Sequence, residues 1–340
     1  MTTSRRERMK LVWKPAHLAG VLVIAMAFID AASIAYFVRI LLFLYFILAS
    51  LDLALTRYHL WNFEPTIPTP KRYALVTGAS SGIGREMSYL LSEQKYSLVL
   101  AARSKAVLER MRVEIEMVNQ PSEVLVCVCD LGTDEGISKL INFVHEKKLI
   151  IDILVNNAGA SLVKNFTEHK ETEVDWTMTL NTKAMVKLTH ALVPQMVERK
   201  VGRVLNISSI AAIGGVPMAA LYCSSKAFML NFSQALSYEL RSTGVTVTCV
   251  CPGPVYTNFL KAISNDYPVC MKLPGVAADP KDTAKVALDA MFNGEILVND
   301  TWYSYLCGNL IQAIIPRRLA AFCLVAGFQD LKGFWQVLKR

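Results

Sequence analysis

Charged side chains are scarce in this sequence, at 19% of 340 residues, while hydrophobic ones make up 53%. A chain this apolar has ample surface to bury, which excludes a disordered or low-complexity protein. Glycine (17) and proline (13) are too few for a collagen-like or linker-rich chain. The eight cysteines, at 127, 129, 223, 249, 251, 270, 307 and 323, are too sparse for a disulfide scaffold. Neither Cys127-x-Cys129 nor Cys249-x-Cys251 has histidine at zinc spacing, so no metal site is expected and these thiols read as small buried hydrophobes.

The excess of positive charge lies at the ends. The chain carries a net +8, of which residues 1–16 hold +4 and residues 316–340 another +4, so the 299 residues between them sum to zero net charge. A nucleic-acid partner would need a basic stripe across a folded surface, so none is expected. Basic ends instead suit an anionic membrane leaflet.

Long apolar runs follow the basic start. Leu18 to Val38 has one charge, Asp30, and Ile40 to Leu55 has one, Asp52. About 20 apolar residues cross a bilayer, and a cleaved signal would be shorter, so 18–56 reads as an uncleaved transmembrane anchor. It forms either one span or two, 18–38 and 40–55. The basic tail 1–17 favours a cytoplasmic N-terminus. One span would then place the remainder in the lumen, and two would return it to the cytosol; the latter is our reading. Residues 57–71 contain Pro65, Pro68 and Pro70 and read as an extended linker.

From residue 72 the pattern changes to short apolar runs alternating with longer amphipathic ones. Strands are expected at Tyr73–Gly78, Leu98–Ala102, Val124–Cys129, Ile151–Val155, Arg203–Ile207 and Val245–Cys251. Helices are expected at Arg85–Gln94, Lys105–Val118, Asp134–Glu146, Val174–Glu198 and Ala219–Arg241. Continuously apolar strands in βα alternation predict an α/β, Rossmann-type doubly wound parallel sheet with helices on both faces, preceded by the transmembrane segment.

The first strand runs into Thr77-Gly78-Ala79-Ser80-Ser81-Gly82-Ile83-Gly84 and then a helix. Such a turn lets the backbone approach a pyrophosphate at a helix N-terminus. The second strand ends in Ala102-Arg103, a base where an acid would indicate NAD, which points to the 2′-phosphate of NADP(H).

Further landmarks follow in order: Asp130-Leu131, Asn156-Asn157-Ala158-Gly159, Asn181, Ser208-Ser209, Tyr222-Cys223-Ser224-Ser225-Lys226, and Pro252-Gly253-Pro254-Val255 with Thr257. With the glycine turn they resemble the short-chain dehydrogenase/reductase family over about residues 72–300. Tyr222 and Lys226, at i and i+4, share a helix face, so the ammonium is expected to lower the phenol toward a useful acid. The resemblance implies that Tyr222 protonates a carbonyl, Ser209 stabilises its oxygen and Asn181 holds a water for relay to Lys226. It further implies that Gly78, Ser80, Ser81, Gly82, Ile83, Gly84, Arg103, Asp130, Leu131, Asn157, Ala158, Gly159, Tyr222, Lys226, Pro252, Gly253, Val255 and Thr257 bind the cofactor.

The resemblance implies a variable lid at Phe259 to Ala278, and its mostly apolar composition suggests a lipophilic substrate. Residues 301–340 read as an apolar, basic lid and membrane-contact segment. The anchor, the NADPH preference and the lid together resemble membrane-bound very-long-chain 3-oxoacyl-CoA reductases and 17β-hydroxysteroid dehydrogenases. By that analogy the chain works at the endoplasmic reticulum, with its catalytic domain on the cytosolic face. Pairing as a homodimer through the helices carrying Asn181 and Tyr222 stays open. So do NAD-dependent oxidation of a sterol or retinol, and a non-catalytic lipid-binding scaffold.

Overall fold

A computed structural model describes residues 72–118, 123–257, 259 and 276–306, together with 36, 37, 39, 40, 43–48, 50 and 51. The chain divides into two units, Met1–Asn62 and Phe63–Arg340. In the first, the described residues are helical and exposed, with Phe43, Tyr45 and Phe46 each more than 60% accessible. The expected anchor 18–56 lies largely outside the described residues, and among those described no helix is long and apolar enough to cross a membrane. The linker 57–71 also lies outside them, as do most of the expected lid and residues 307–340.

The second unit is built on a seven-stranded parallel sheet. Its strands are β1 Arg72–Thr77, β2 Ser97–Ala102, β3 Val124–Val128, β4 Ile150–Asn156, β5 Gly202–Ile207, β6 Val245–Cys251 and β7 Leu297–Asn299, in the order β3-β2-β1-β4-β5-β6-β7. Helices α1 Gly82–Glu93, α2 Lys105–Val118, α3 Asp134–Glu146, α4 Glu171–Met178, α5 Ala184–Arg199, α6 Ala220–Glu239, α7 Pro280–Phe292 and the short α8 Trp302–Tyr305 complete it. Strand β7 and helix α7, which closes the sheet, carry no dinucleotide motif and were absent from the sequence expectation.

Alternate strand residues point to opposite faces, which builds two cores. Ala74, Val76, Leu98 and Leu100 pack with Met87 and Leu91 of α1, Leu108 and Met111 of α2, and Leu288 of α7. Tyr73, Leu75, Val99 and Ala101 face the other way, against Ile137 and Leu140 of α3 and Leu188 and Leu192 of α5. Cys127, Cys129, Cys223, Cys249 and Cys251 are buried and unpaired, as expected of small hydrophobes.

One expected helix, Val174–Glu198, is interrupted. Residues Thr179–Lys183 form a π turn between α4 and α5. The wider turn carries the buried Asn181 and lets its side chain bond to two other elements, a local gain that regular α geometry would forgo.

A single acid interrupts the apolar run of β4. The pairing of β1 with β4 slips by one residue at Asp152, which falls between the partners Ile151 and Ile153. Its fully buried carboxylate accepts from Arg72 at 3.1 Å and lies 3.5 Å from Arg199. Nearby Arg203 is 1% exposed and stands over the Phe292 ring at 5.2 Å. Burial disfavours its charge, and Asp152 and Tyr96 offset that. Losing the carboxylate would leave a buried cation undercompensated. Asp152→Ala is therefore expected to destabilise the domain by about 3 kcal/mol in urea unfolding, and Arg203→Met in the same background should restore most of it.

Candidate active site

The strand order reverses direction between β1 and β4, the position where open α/β sheets bind ligands beyond the carboxyl ends of their strands. A cleft of about 460 Å³ opens there. Of the sequence-expected site residues, all but Gly84 and Asn181 line it.

Its floor is the glycine turn. Gly78 has φ +65°, and a Cβ there would lie 2.8 Å from the Asn157 amide nitrogen. At Gly84 a Cβ would come within 2.3 Å of the same atom, so α1 can pack this closely only without a side chain. Asn157 is committed beneath the turn, donating to the carbonyls of Thr77 at 3.0 Å and Gly78 at 3.3 Å. Its amide thus shapes the turn, while the residue also lines the cleft. Ser81 precedes α1 in extended conformation, presenting that helix's N-terminus to the cleft.

Strands β5 and β6 and helix α6 supply the reactive groups. Ser209 follows β5, and its hydroxyl accepts from Ala211 N at 3.1 Å. Tyr222 and Lys226 share one face of α6, with the Lys226 Nζ 5.8 Å from the Tyr222 ring centroid. The ammonium, however, donates to the Ile207 carbonyl at 2.7 Å. It does not lower the phenol as expected. Burial pushes the Tyr222 pKa up to about 12, and a hydrogen bond with Ser209 is what draws it back down. Burial also brings Lys226 down to about 8. Tyr222 is thus a protonated acid at neutral pH, paired with the serine.

Asn181 is fully occupied. Its Oδ1 accepts from Ala160 N at 2.9 Å, and its Nδ2 donates to Ala160 O at 2.9 Å and to Ser225 Oγ at 3.0 Å. Both amide hydrogens being spent, the side chain acts as a positioning residue within the protein. It ties the loop after β4 to α6, three residues from Tyr222.

At the β2–β3 end of the cleft, Asp130 Oδ1 accepts from Gly132 N at 2.9 Å, and Trp176 Nε1 donates to Asp130 Oδ2 at 3.3 Å. The Arg103 guanidinium lies over the Trp176 ring, 5.5 Å from its centroid. At the opposite end, Asp300 accepts from Gly253 N at 2.9 Å and from Thr283 Oγ1 at 2.8 Å, holding the Pro252–Thr257 loop against α7. Sequence reasoning missed Trp176 and Asp300. No motif marks either, and each acts only through a partner brought from another element.

The depressed Lys226 pKa has a measurable sign. Unfolded, this lysine holds its proton to about pH 10.5; folded, it releases it near 8. Between those values the unfolded chain binds more protons, so stability from this group rises with pH across the window. Denaturant midpoints of the native chain relative to Lys226→Met should therefore climb from pH 8 to about 10.5, and a flat difference would contradict the assignment.

Comparison with known proteins agrees with this geometry. The short chain dehydrogenase family profile matches residues 72–268. The 3-oxoacyl-[acyl-carrier-protein] reductase of Rickettsia prowazekii is 31% identical over 232 residues, spanning 67% of this chain and 92% of that protein. A very-long-chain 3-oxoacyl-CoA reductase of Pyrenophora tritici-repentis is 35% identical over 184 residues, 52% of this chain and 53% of its own. Among solved structures, a short-chain dehydrogenase from Sphingobium yanoikuyae in complex with NADPH superposes with a TM-score of 0.64 at 25% identity, covering 76% of this chain and 97% of that one. With its glycine turn, Ser209, Tyr222 and Lys226 gathered at one sheet edge, the chain belongs to the short chain dehydrogenase family of oxidoreductases, which bind a nicotinamide cofactor.

Proposed function

We propose that this oxidoreductase is a membrane-anchored carbonyl reductase that uses NADPH to reduce a ketone on a lipid-like substrate, first a 3-oxoacyl-CoA and second a steroid ketone. The observation that carries the chemistry is the Ser209–Tyr222 pair in the cleft, with a phenol that keeps its proton at neutral pH. The residues fit a nicotinamide dinucleotide: a glycine cradle with no room for side chains at Gly78 and Gly84, a helix N-terminus, and a cation at Arg103. When bound, that cofactor supplies the hydride.

The remaining work falls to this chain. Ser209 and Tyr222 donate hydrogen bonds to the substrate carbonyl oxygen, so negative charge developing there meets two positioned donors. Tyr222 Oη gives up its proton to that oxygen, leaving a hydroxyl on the product. Lys226, which the Ile207 carbonyl holds in place, sits beside Gly159, whose Cβ position lies 3.4 Å from its Nζ. There it can reach the ribose of a bound nicotinamide nucleotide.

Arg103 makes no ion pair among the described residues, which supports a 2′-phosphate rather than a bare ribose. An apolar rim supports a lipid-like substrate: Val163, Val216, Met218 and Phe259 line the cleft, and Phe259 packs on Tyr222 with ring centroids 5.5 Å apart. The apolar run 18–56 and the basic ends support residence at a membrane, with the endoplasmic reticulum and its cytosolic face as the reading for location.

Tyr222→Phe should lower kcat for reduction of a long-chain 3-oxoacyl-CoA by about 10²- to 10⁴-fold while cofactor affinity holds. Arg103→Asp should reverse the preference for NADPH over NADH with the chemical step intact. Full activity of the phenylalanine variant would end the mechanism, and no NADPH binding would end the cofactor reading. A second test concerns location: the chain should remain in microsomal pellets after alkaline carbonate washing, and protease added outside intact microsomes should cut the catalytic domain. Release into the wash would refute the anchor.

A further inference from the structure

Three elements converge on Trp176. It comes from α4, its indole N–H donates to Asp130 after β3 at 3.3 Å, and its ring face carries the guanidinium of Arg103 from the end of β2 at 5.5 Å. The ring lies so close to the Asp130 turn that a Cβ on Gly132 would fall 2.0 Å from Nε1, so only glycine allows this seat. Asp130 in turn is held by Gly132 N. The indole is therefore fixed at one edge and presents its face to an arginine that is itself exposed and, among the described residues, in no ion pair. All three residues border the cleft.

We infer that Trp176 is a positioning residue for cofactor selection: it holds the Arg103 guanidinium in place for the 2′-phosphate of the adenosine, so that the arginine is ordered before the ligand arrives. A free arginine on the surface would surrender its rotamer freedom on binding; one stacked on a pinned aromatic has less to lose. A guanidinium stacks flat on a ring while its N–H groups stay in plane and available to phosphate oxygens. Asp130 contributes by anchoring the indole through its carboxylate. This inference rests on the NADP(H) reading above and adds the residue that makes Arg103 effective.

The test is equilibrium binding of 2′,5′-ADP and 5′-AMP by calorimetry, which needs no turnover. The native chain should bind 2′,5′-ADP at least about tenfold more tightly than 5′-AMP, as a charge-assisted contact to the extra phosphate requires. Trp176→Leu should shrink that ratio about three- to tenfold, with 5′-AMP affinity within about twofold of native. Trp176→Phe, which keeps a ring and loses the N–H to Asp130, should fall between and serves if the leucine variant folds poorly. In an Arg103→Ala background, Trp176→Leu should change neither ligand's affinity further. Equal weakening of both ligands, or an effect that survives without Arg103, would make Trp176 a structural wall and overturn the inference. Equal native affinity for the two ligands would instead bring down the NADP(H) reading, and a native preference that Trp176→Leu leaves intact would bring down this inference alone.

Discussion

The carboxyl ends of β1 and β4 are joined by side chains rather than by further ladder, and the site depends on that join. Thr77 Oγ1 donates to the Val155 carbonyl at 3.0 Å and accepts from the backbone N–H groups of Asn157 and Ala158 at 3.0 and 3.1 Å. Asn157 returns its amide to the carbonyls of Thr77 and Gly78. A parallel sheet leaves unpaired polar groups where two neighbouring strands diverge, and buried ones must find partners. Here two residues supply them, and in doing so they set the height of the glycine turn and the entry of α1. Gly78 and Gly84 are then glycine because Asn157 occupies the space a side chain would need.

At the reacting end, burial governs the chemistry more than neighbouring charge does. Withdrawal from water raises the Tyr222 phenol and lowers the Lys226 ammonium, each toward its neutral form. The backbone then assigns their tasks. Lys226 is drawn to Ile207 O and Ser209 to Tyr222, so it is the serine that eases release of the phenol's proton. Asn181 holds this arrangement from outside the cleft through three hydrogen bonds made from a π turn, a geometry that places one side chain between a loop and a helix at once. Asp300 does the same for the Pro252–Thr257 loop from the far side of the sheet.

The two ends of the cleft are linked by a continuous stretch of chain. Trp176 sits on α4 five residues before Asn181, so the helix that steadies the β2–β3 end runs directly into the turn that steadies the catalytic end. A rigid connection of this kind fixes the two ends of the cleft relative to each other, and small misplacements within a site are costly to a chemical step.

The sequence by itself determined the parallel sheet, because runs such as Leu98–Ala102 and Val124–Cys129 are apolar at every position and only a sheet covered on both faces can bury them. It also determined the glycine turn, the Tyr222/Lys226 helix face and the basic residue at Arg103, since each is a local pattern whose meaning survives without knowing its neighbours. Tertiary structure decided what those residues do to one another. That Lys226 bonds to Ile207, that Asn157 spends its amide on backbone and Asn181 its own on backbone and Ser225, and that Trp176 and Asp300 belong to the site at all follow from contacts between residues 17 to 80 positions apart. Desolvation and hydrogen-bond competition act through space, and only the folded chain sets those distances.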